Sequence, residues 1–132
     1  MSTKIKTSIR LPAEWEKQSA VLLSWPHERT NWAPYLKDVR RNYIEIIRTI
    51  LEFEPVLLAV TDKGHERGIL EKIPSKDLQI FEVPGNDTWA RDFGPITVIK
   101  AGKPVMKDFV FNGWGGQYPC DKDNLVTRNL RL

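Results

Sequence analysis

The sequence predicts an α/β fold, and three observations carry that prediction. Short continuous apolar runs alternate with segments of helical period. Proline and glycine punctuate the boundaries between them. A later pair of strand-like runs flanks a glycine-containing turn, the pattern of a hairpin.

The elements follow in order. Leu11 to Lys17 is a polar lead-in whose Trp15 is expected to anchor it to the body. Ala20 to Trp25 is a short apolar run ending at Pro26, consistent with a buried strand. His27 to Pro34 reads as loop, and Tyr35 to Phe53 as the clearest helix. In that helix Leu36, Val39, Tyr43, Ile46, Ile47 and Ile50 form one apolar face, and Lys37, Arg40, Arg41, Glu45 and Arg48 form a solvated one. Pro34 suits its first turn. Val56 to Val60 is a second buried strand, and Thr61-Asp62 can cap a helix from Lys63 to Lys72 that Gly64 and Gly68 weaken. Leu78 to Val83 is the third strand. Ile96–Ile99 and Val105–Phe111 are expected to pair across a turn at Lys100–Pro104, and Asp121 to Leu132 to begin a helix.

Composition bounds the function. The chain of 132 residues is one domain, or part of a larger one, and its 41% hydrophobic and 28% charged residues are ordinary for a globular protein. The net charge of +3 is spread among acids, which argues against a nucleic-acid partner. No apolar run approaches the roughly 18 residues of a membrane span. Met1 to Arg10 has no apolar secretory core, and one cysteine, Cys120, fits a reducing compartment, so the expectation is a cytoplasmic protein. Two histidines and one cysteine far apart give no zinc-like spacing. His27 reads as a loop histidine bonded to backbone, and His65 as a surface residue.

The densest chemistry lies in Asn86-Asp87-Thr88-Trp89-Ala90-Arg91-Asp92-Phe93-Gly94-Pro95, between two strand-like runs. Asp92 can accept two parallel N–H bonds from a guanidinium, and Trp89 can offer its ring face to the same flat cation. The plain alternative is that Arg91 and Asp92 pair with neighbours and brace the loop. Further on, Asn112-Gly113-Trp114-Gly115-Gly116 lets backbone approach a ligand, and Trp114 is either a second wall of that pocket or a cover for the core edge.

Trp-Ala-Arg-Asp-Phe-Gly-Pro preceded by Asn-Asp resembles the signature of the agmatine deiminase family, relatives of the bacterial peptidylarginine deiminases. Three more segments match in family order: Leu11–Glu16, Ser24–His27 and Asp108–Tyr118. The resemblance implies a pentein-type fold, a five-bladed α/β propeller, of which residues 1–132 would supply about two of five units as the N-terminal part of a single deiminase domain. It implies hydrolysis of agmatine to N-carbamoylputrescine and ammonia through a cysteine thiouronium intermediate, without metal or organic cofactor. By motif match Asp92 is the catalytic carboxylate that holds the substrate guanidinium, with Trp89 and Trp114 as substrate-binding residues. The family's histidine and nucleophilic cysteine have no counterpart here. Cys120 sits beside Asp121, the opposite of the electropositive setting a nucleophilic thiolate needs. The chain alone is therefore expected to be inactive, and to associate with the missing C-terminal part or with a second copy. The alternatives are a peptidylarginine deiminase segment, disfavoured by Phe111–Gly116, and a guanidinium-binding module without turnover.

Overall fold

The computed structural model describes residues 8–130, without the side chains of His65, Glu66 and Ile69. The predicted role of His65 and the last two residues of the expected C-terminal helix lie outside the described residues.

Two small sheets organise the chain. The first is parallel, in the order β2 (Val21–Ser24), β3 (Val56–Val60), β4 (Leu78–Glu82). The second is antiparallel, in the order β1 (Ile9–Arg10), β5 (Ile96–Lys100), β6 (Lys103–Lys107). Parallel strands need crossovers, and two helices supply them: α1 (Leu36–Leu51) between β2 and β3, and α2 (Lys63–Leu70) between β3 and β4.

Every residue of β3 is buried because both faces of the parallel sheet are covered. Val56, Leu58 and Val60 point to one side, where Trp25, Ile47, Leu70 and Ile73 complete a core under the helices. Ala59 points to the other side and joins Val83, Phe93, Val126 and Leu130. The pleat of one strand thus feeds two cores, which explains why the run shows no polar alternation in sequence.

Helix α1 departs from expectation in its orientation. Tyr43, Ile44, Ile47, Ile50 and Leu51 contact the core, whereas Ile46 is 46% exposed. Arg40, expected on the solvated face, has a side chain only 12% exposed. Its Nε donates to the Pro26 carbonyl (3.1 Å), and its guanidinium pairs with Glu28 (3.2 Å). A single 3₁₀ turn, Ala33–Tyr35, leads into the helix. The cap of α2 is as expected: Asp62 Oδ1 accepts the Gly64 N–H at 2.7 Å.

Two further expectations are corrected. Trp15 is 89% exposed and anchors nothing; the lead-in is held instead by a two-bonded fork from Arg10 to Glu16 (2.6 and 3.0 Å), which keeps the Glu16 carboxyl down at about 2. The hairpin turn is Ala101-Gly102, shorter than the five residues expected, with positive φ at both positions (51° and 78°). Such a turn matches the twist of the strands it joins. It draws Lys103 and Pro104 into β6, and Asp108–Phe111 leaves the sheet.

Candidate guanidinium site

The loops that leave β2 and β4 emerge together at the carboxyl end of the parallel sheet, the end where open α/β sheets hold ligands. They are stitched to each other. Ser24 Oγ donates to the Asp87 carbonyl (3.1 Å), and Trp32 Nε1 donates to Thr88 Oγ1 (2.9 Å). His27 is buried and its ring bonds backbone among the described residues: its Nδ1 accepts the Arg29 N–H (3.2 Å), so its Nε2 carries the proton it shares with the Gly85 carbonyl (3.2 Å). Burial holds the His27 pKa below its ordinary value despite the Gly85 bond.

The Asn86–Pro95 segment contains one helical turn, α3 (Ala90–Phe93). Phe93 enters the second core while Asp92 and Trp89 stay at the surface, Trp89 48% exposed. Gly94 permits the turn by its lack of a side chain, because a Cβ there would stand 2.5 Å from the Ala90 carbonyl oxygen. Arg91 and Asp92 make no ion pair among the described residues; Asp92 does bond a neighbour, the Trp114 indole, as the bracing alternative expects.

Trp114 arrives from a separate turn. Residues Gly113, Trp114, Gly115 and Gly116 all have positive φ (62°, 53°, 81° and 81°), so this segment winds left-handed. Asn112 closes it, its Oδ1 accepting the Gly115 N–H at 3.0 Å and its carbonyl the Gly116 N–H at 2.7 Å. A tryptophan in this region is a costly backbone state, of order 1–2 kcal/mol, tolerated where surroundings enforce it. The result is that Trp114 Nε1 donates to Asp92 Oδ1 at 3.2 Å.

The three residues singled out in the sequence, Trp89, Asp92 and Trp114, are brought together by the fold. Trp89 and Trp114 stand nearly perpendicular, centroids 6.4 Å apart, and Trp32 also packs against Trp89, tilted, at 6.4 Å. Phe111 (5.0 Å) and Tyr118 (5.6 Å) pack edge-on to Trp114 and hold its ring. Trp32, Phe111 and Tyr118 had no assigned role in the sequence reading; their signal was only aromatic residues in polar loops. The arrangement offers one carboxylate, partly oriented by an indole N–H, beside two partly exposed indole rings. A cleft of ≈ 310 Å³ lies at the opposite end of the sheet, lined by Arg48, Lys72 and Ile73 among others, away from these groups. Among the described residues no cluster of His, Cys, Asp and Glu could hold a metal ion, and no helix is long and apolar enough to cross a membrane.

The family model of Porphyromonas-type peptidyl-arginine deiminases matches residues 10–132. The chain belongs to that family. Among solved structures, this deiminase-family chain resembles the agmatine deiminase of C. jejuni with substrate bound, at 35% identity and a TM-score of 0.86, covering 93% of this chain and 36% of that one. It also resembles the agmatine deiminase of Enterococcus faecalis, at 31% identity and a TM-score of 0.79, over 91% of this chain and 34% of that one. A curated relative from Streptococcus mutans, a candidate agmatine deiminase by name, is 32% identical over 98% of this chain and 37% of its own length. The chain thus corresponds to the N-terminal portion of these deiminases and spans a little over a third of their length. Its mixed α/β fold is that of the pentein-type structures, a partial propeller.

Proposed function

We propose that the protein carrying this chain is an agmatine deiminase, and that residues 1–132 form the N-terminal part of a single deiminase domain. The observation that carries the reading is the exposed Asp92 carboxylate, bonded to the Trp114 indole that packs edge-on with Trp89, on a chain of this family. A guanidinium is flat, permanently charged and a fork of N–H donors, and a carboxylate receives it through two parallel bonds. The indole bond to Oδ1 leaves Oδ2 and a second lone pair of Oδ1 for that fork. The ring faces add roughly 0.5–2 kcal/mol of cation–π attraction.

In the proposed reaction a cysteine thiolate attacks the guanidinium carbon and a histidine protonates the departing ammonia. Water then hydrolyses the thiouronium and frees the thiolate, so that agmatine and water become N-carbamoylputrescine and ammonia. Both groups would come from outside this chain, and neither step calls for a metal or organic cofactor. Asp92 would fix the substrate so that its carbon faces the nucleophile, a positioning effect worth orders of magnitude in rate. Cys120 is not assigned the attack: its Sγ is bonded to the Phe111 carbonyl at 3.3 Å. The single cysteine agrees with a cytoplasmic setting.

The test is release of ammonia and carbamoylputrescine by the intact protein, with agmatine and a peptidylarginine offered separately. Asp92→Asn is expected to lower kcat/KM for agmatine by roughly a hundredfold or more. Near-normal turnover by that variant removes Asp92 from the role. Preference for peptidylarginine reassigns the substrate, and agmatine binding without turnover makes the chain a guanidinium-binding module.

A further inference from the structure

The loop bearing Trp89 and Asp92 is held at its first residue by bonds that run in both directions. Asn86 Oδ1 accepts the backbone N–H groups of Lys122 (2.8 Å) and Asp123 (3.1 Å), and Asn86 Nδ2 donates to Asp121 Oδ1 (3.1 Å). In return Asp123 Oδ1 accepts the N–H groups of Asn86 (2.7 Å) and Asp87 (3.2 Å). Asp123 is 1% exposed.

The segment on the other side of this clamp is the one that anchors the Trp114 turn. Asn124 binds both backbone groups of Phe111, accepting its N–H at 2.7 Å and donating to its carbonyl at 2.9 Å. Cys120 donates to the same carbonyl. Phe111 packs edge-on against Trp114, and the Gly113 carbonyl accepts the N–H groups of Gln117 (3.1 Å) and Tyr118 (3.3 Å). Residues 120–124 are therefore bonded on one side to the loop of Trp89 and Asp92, and on the other to the turn of Trp114. A buried carboxylate is a costly brace, since burial and the nearby Asp87 and Asp121 disfavour its charge. An apolar contact would hold two loops together with no such cost, but without fixing their direction. Hydrogen bonds to specific N–H groups fix distance and angle.

We propose that Asn86 and Asp123 are positioning residues: their reciprocal clamp sets the separation of the two loops, and with it the aperture in which a flat cation meets Asp92. The inference rests on the guanidinium reading of that site, but its geometry has a readout of its own. The Trp114 indole N–H reports whether the loops stay in register, because it is bonded to Asp92 across them.

The experiment compares the intact protein with Asp123→Ala, Asp123→Asn and the core variant Ile73→Ala, which lies at the opposite end of the parallel strands. All are measured well below their melting temperatures. Solvent exchange of the Trp114 indole N–H is followed by ¹⁵N NMR, and agmatine affinity by titration. Asp123→Ala is expected to speed indole exchange and weaken agmatine binding, each by roughly ten- to a hundredfold. Asp123→Asn keeps an oxygen acceptor and is expected to restore both to within about threefold of the parent. Ile73→Ala is expected to lower Tm and change neither. Unchanged indole exchange in Asp123→Ala overturns the clamp, as does equal loosening in Ile73→Ala. If the parent binds no agmatine, the guanidinium reading fails on its own, and indole exchange still decides the clamp.

Discussion

At the scale of single residues, burial decides the behaviour of several polar groups. The Thr127 hydroxyl oxygen is buried and has no hydrogen-bond partner among the described residues. An unsatisfied buried hydroxyl costs about 1–3 kcal/mol, so Thr127→Val is expected to raise the urea midpoint rather than lower it. His27 carries the opposite lesson. Its folded-state pKa is depressed, chiefly by burial, with Arg29 and Arg40 adding to the effect and Glu28 opposing it. The unfolded chain therefore takes up the proton first. The stability this residue contributes is present in full above about pH 6.5 and is lost as pH falls through the folded value. Urea titrations between pH 5 and 8 should show that decline, and His27→Gln should flatten it. A decline of equal steepness in that variant would assign the titration to another group. The role read for His27 in the sequence, a backbone-bonding loop histidine, agrees with its two observed partners.

Turns are where small steric differences have the largest effect at the scale of elements. Gly113 has a φ of 62°, and a Cβ at that position would collide with the Tyr118 carbonyl. Gly113→Ala is therefore expected to destabilise the protein by about 1–3 kcal/mol in thermal melts, and to weaken the Trp114 bond to Asp92. The hairpin turn offers the reverse case. Ala101 has a φ of 51°, a state that asparagine tolerates better than alanine. Ala101→Asn, giving the Asn-Gly pair such turns prefer, is expected to add on the order of 0.5–1 kcal/mol. The rotation of α1 has a similar local origin. Arg40 swings inward to satisfy the Pro26 carbonyl, Tyr43 reaches Thr88, and Ile46 is left facing out. A hydrophobic period alone marks an apolar stripe to within one position, and specific polar contacts choose between neighbours.

The whole molecule is uneven in its packing. The parallel sheet lies between two cores, whereas β5 and β6 have no fully buried residue and contribute nothing to either core. Local stability follows buried apolar contact. Amide protons of β3 are accordingly expected to exchange slowest, and those of β5 and β6 faster by at least about a hundredfold. Uniform exchange across both sheets would mean that they open as one unit. The relatives are nearly three times as long as this chain, and the antiparallel sheet leaves Ile9, Ile96 and Met106 exposed.

Much of this was legible from residues near one another in the chain. The strand–helix–strand–helix–strand order, the cap at Asp62, and the pairing of Trp89 with Asp92 on one turn all depend on short spacing, and short spacing survives in sequence as period and motif. The family was legible for the same reason, since its four segments are contiguous strings. What the tertiary structure decided lies between distant positions. Trp114 meets Asp92 across 22 residues, Asn86 and Asp123 lock across 37, and Trp32 reaches Thr88 across 56. Two of these contacts join side chain to side chain and one joins side chain to backbone, and none has a fixed spacing along the chain, so no local pattern announces them. Their partners are chosen only when the parallel sheet brings its carboxyl-end loops together and burial makes an unbonded N–H or carboxylate too costly to leave.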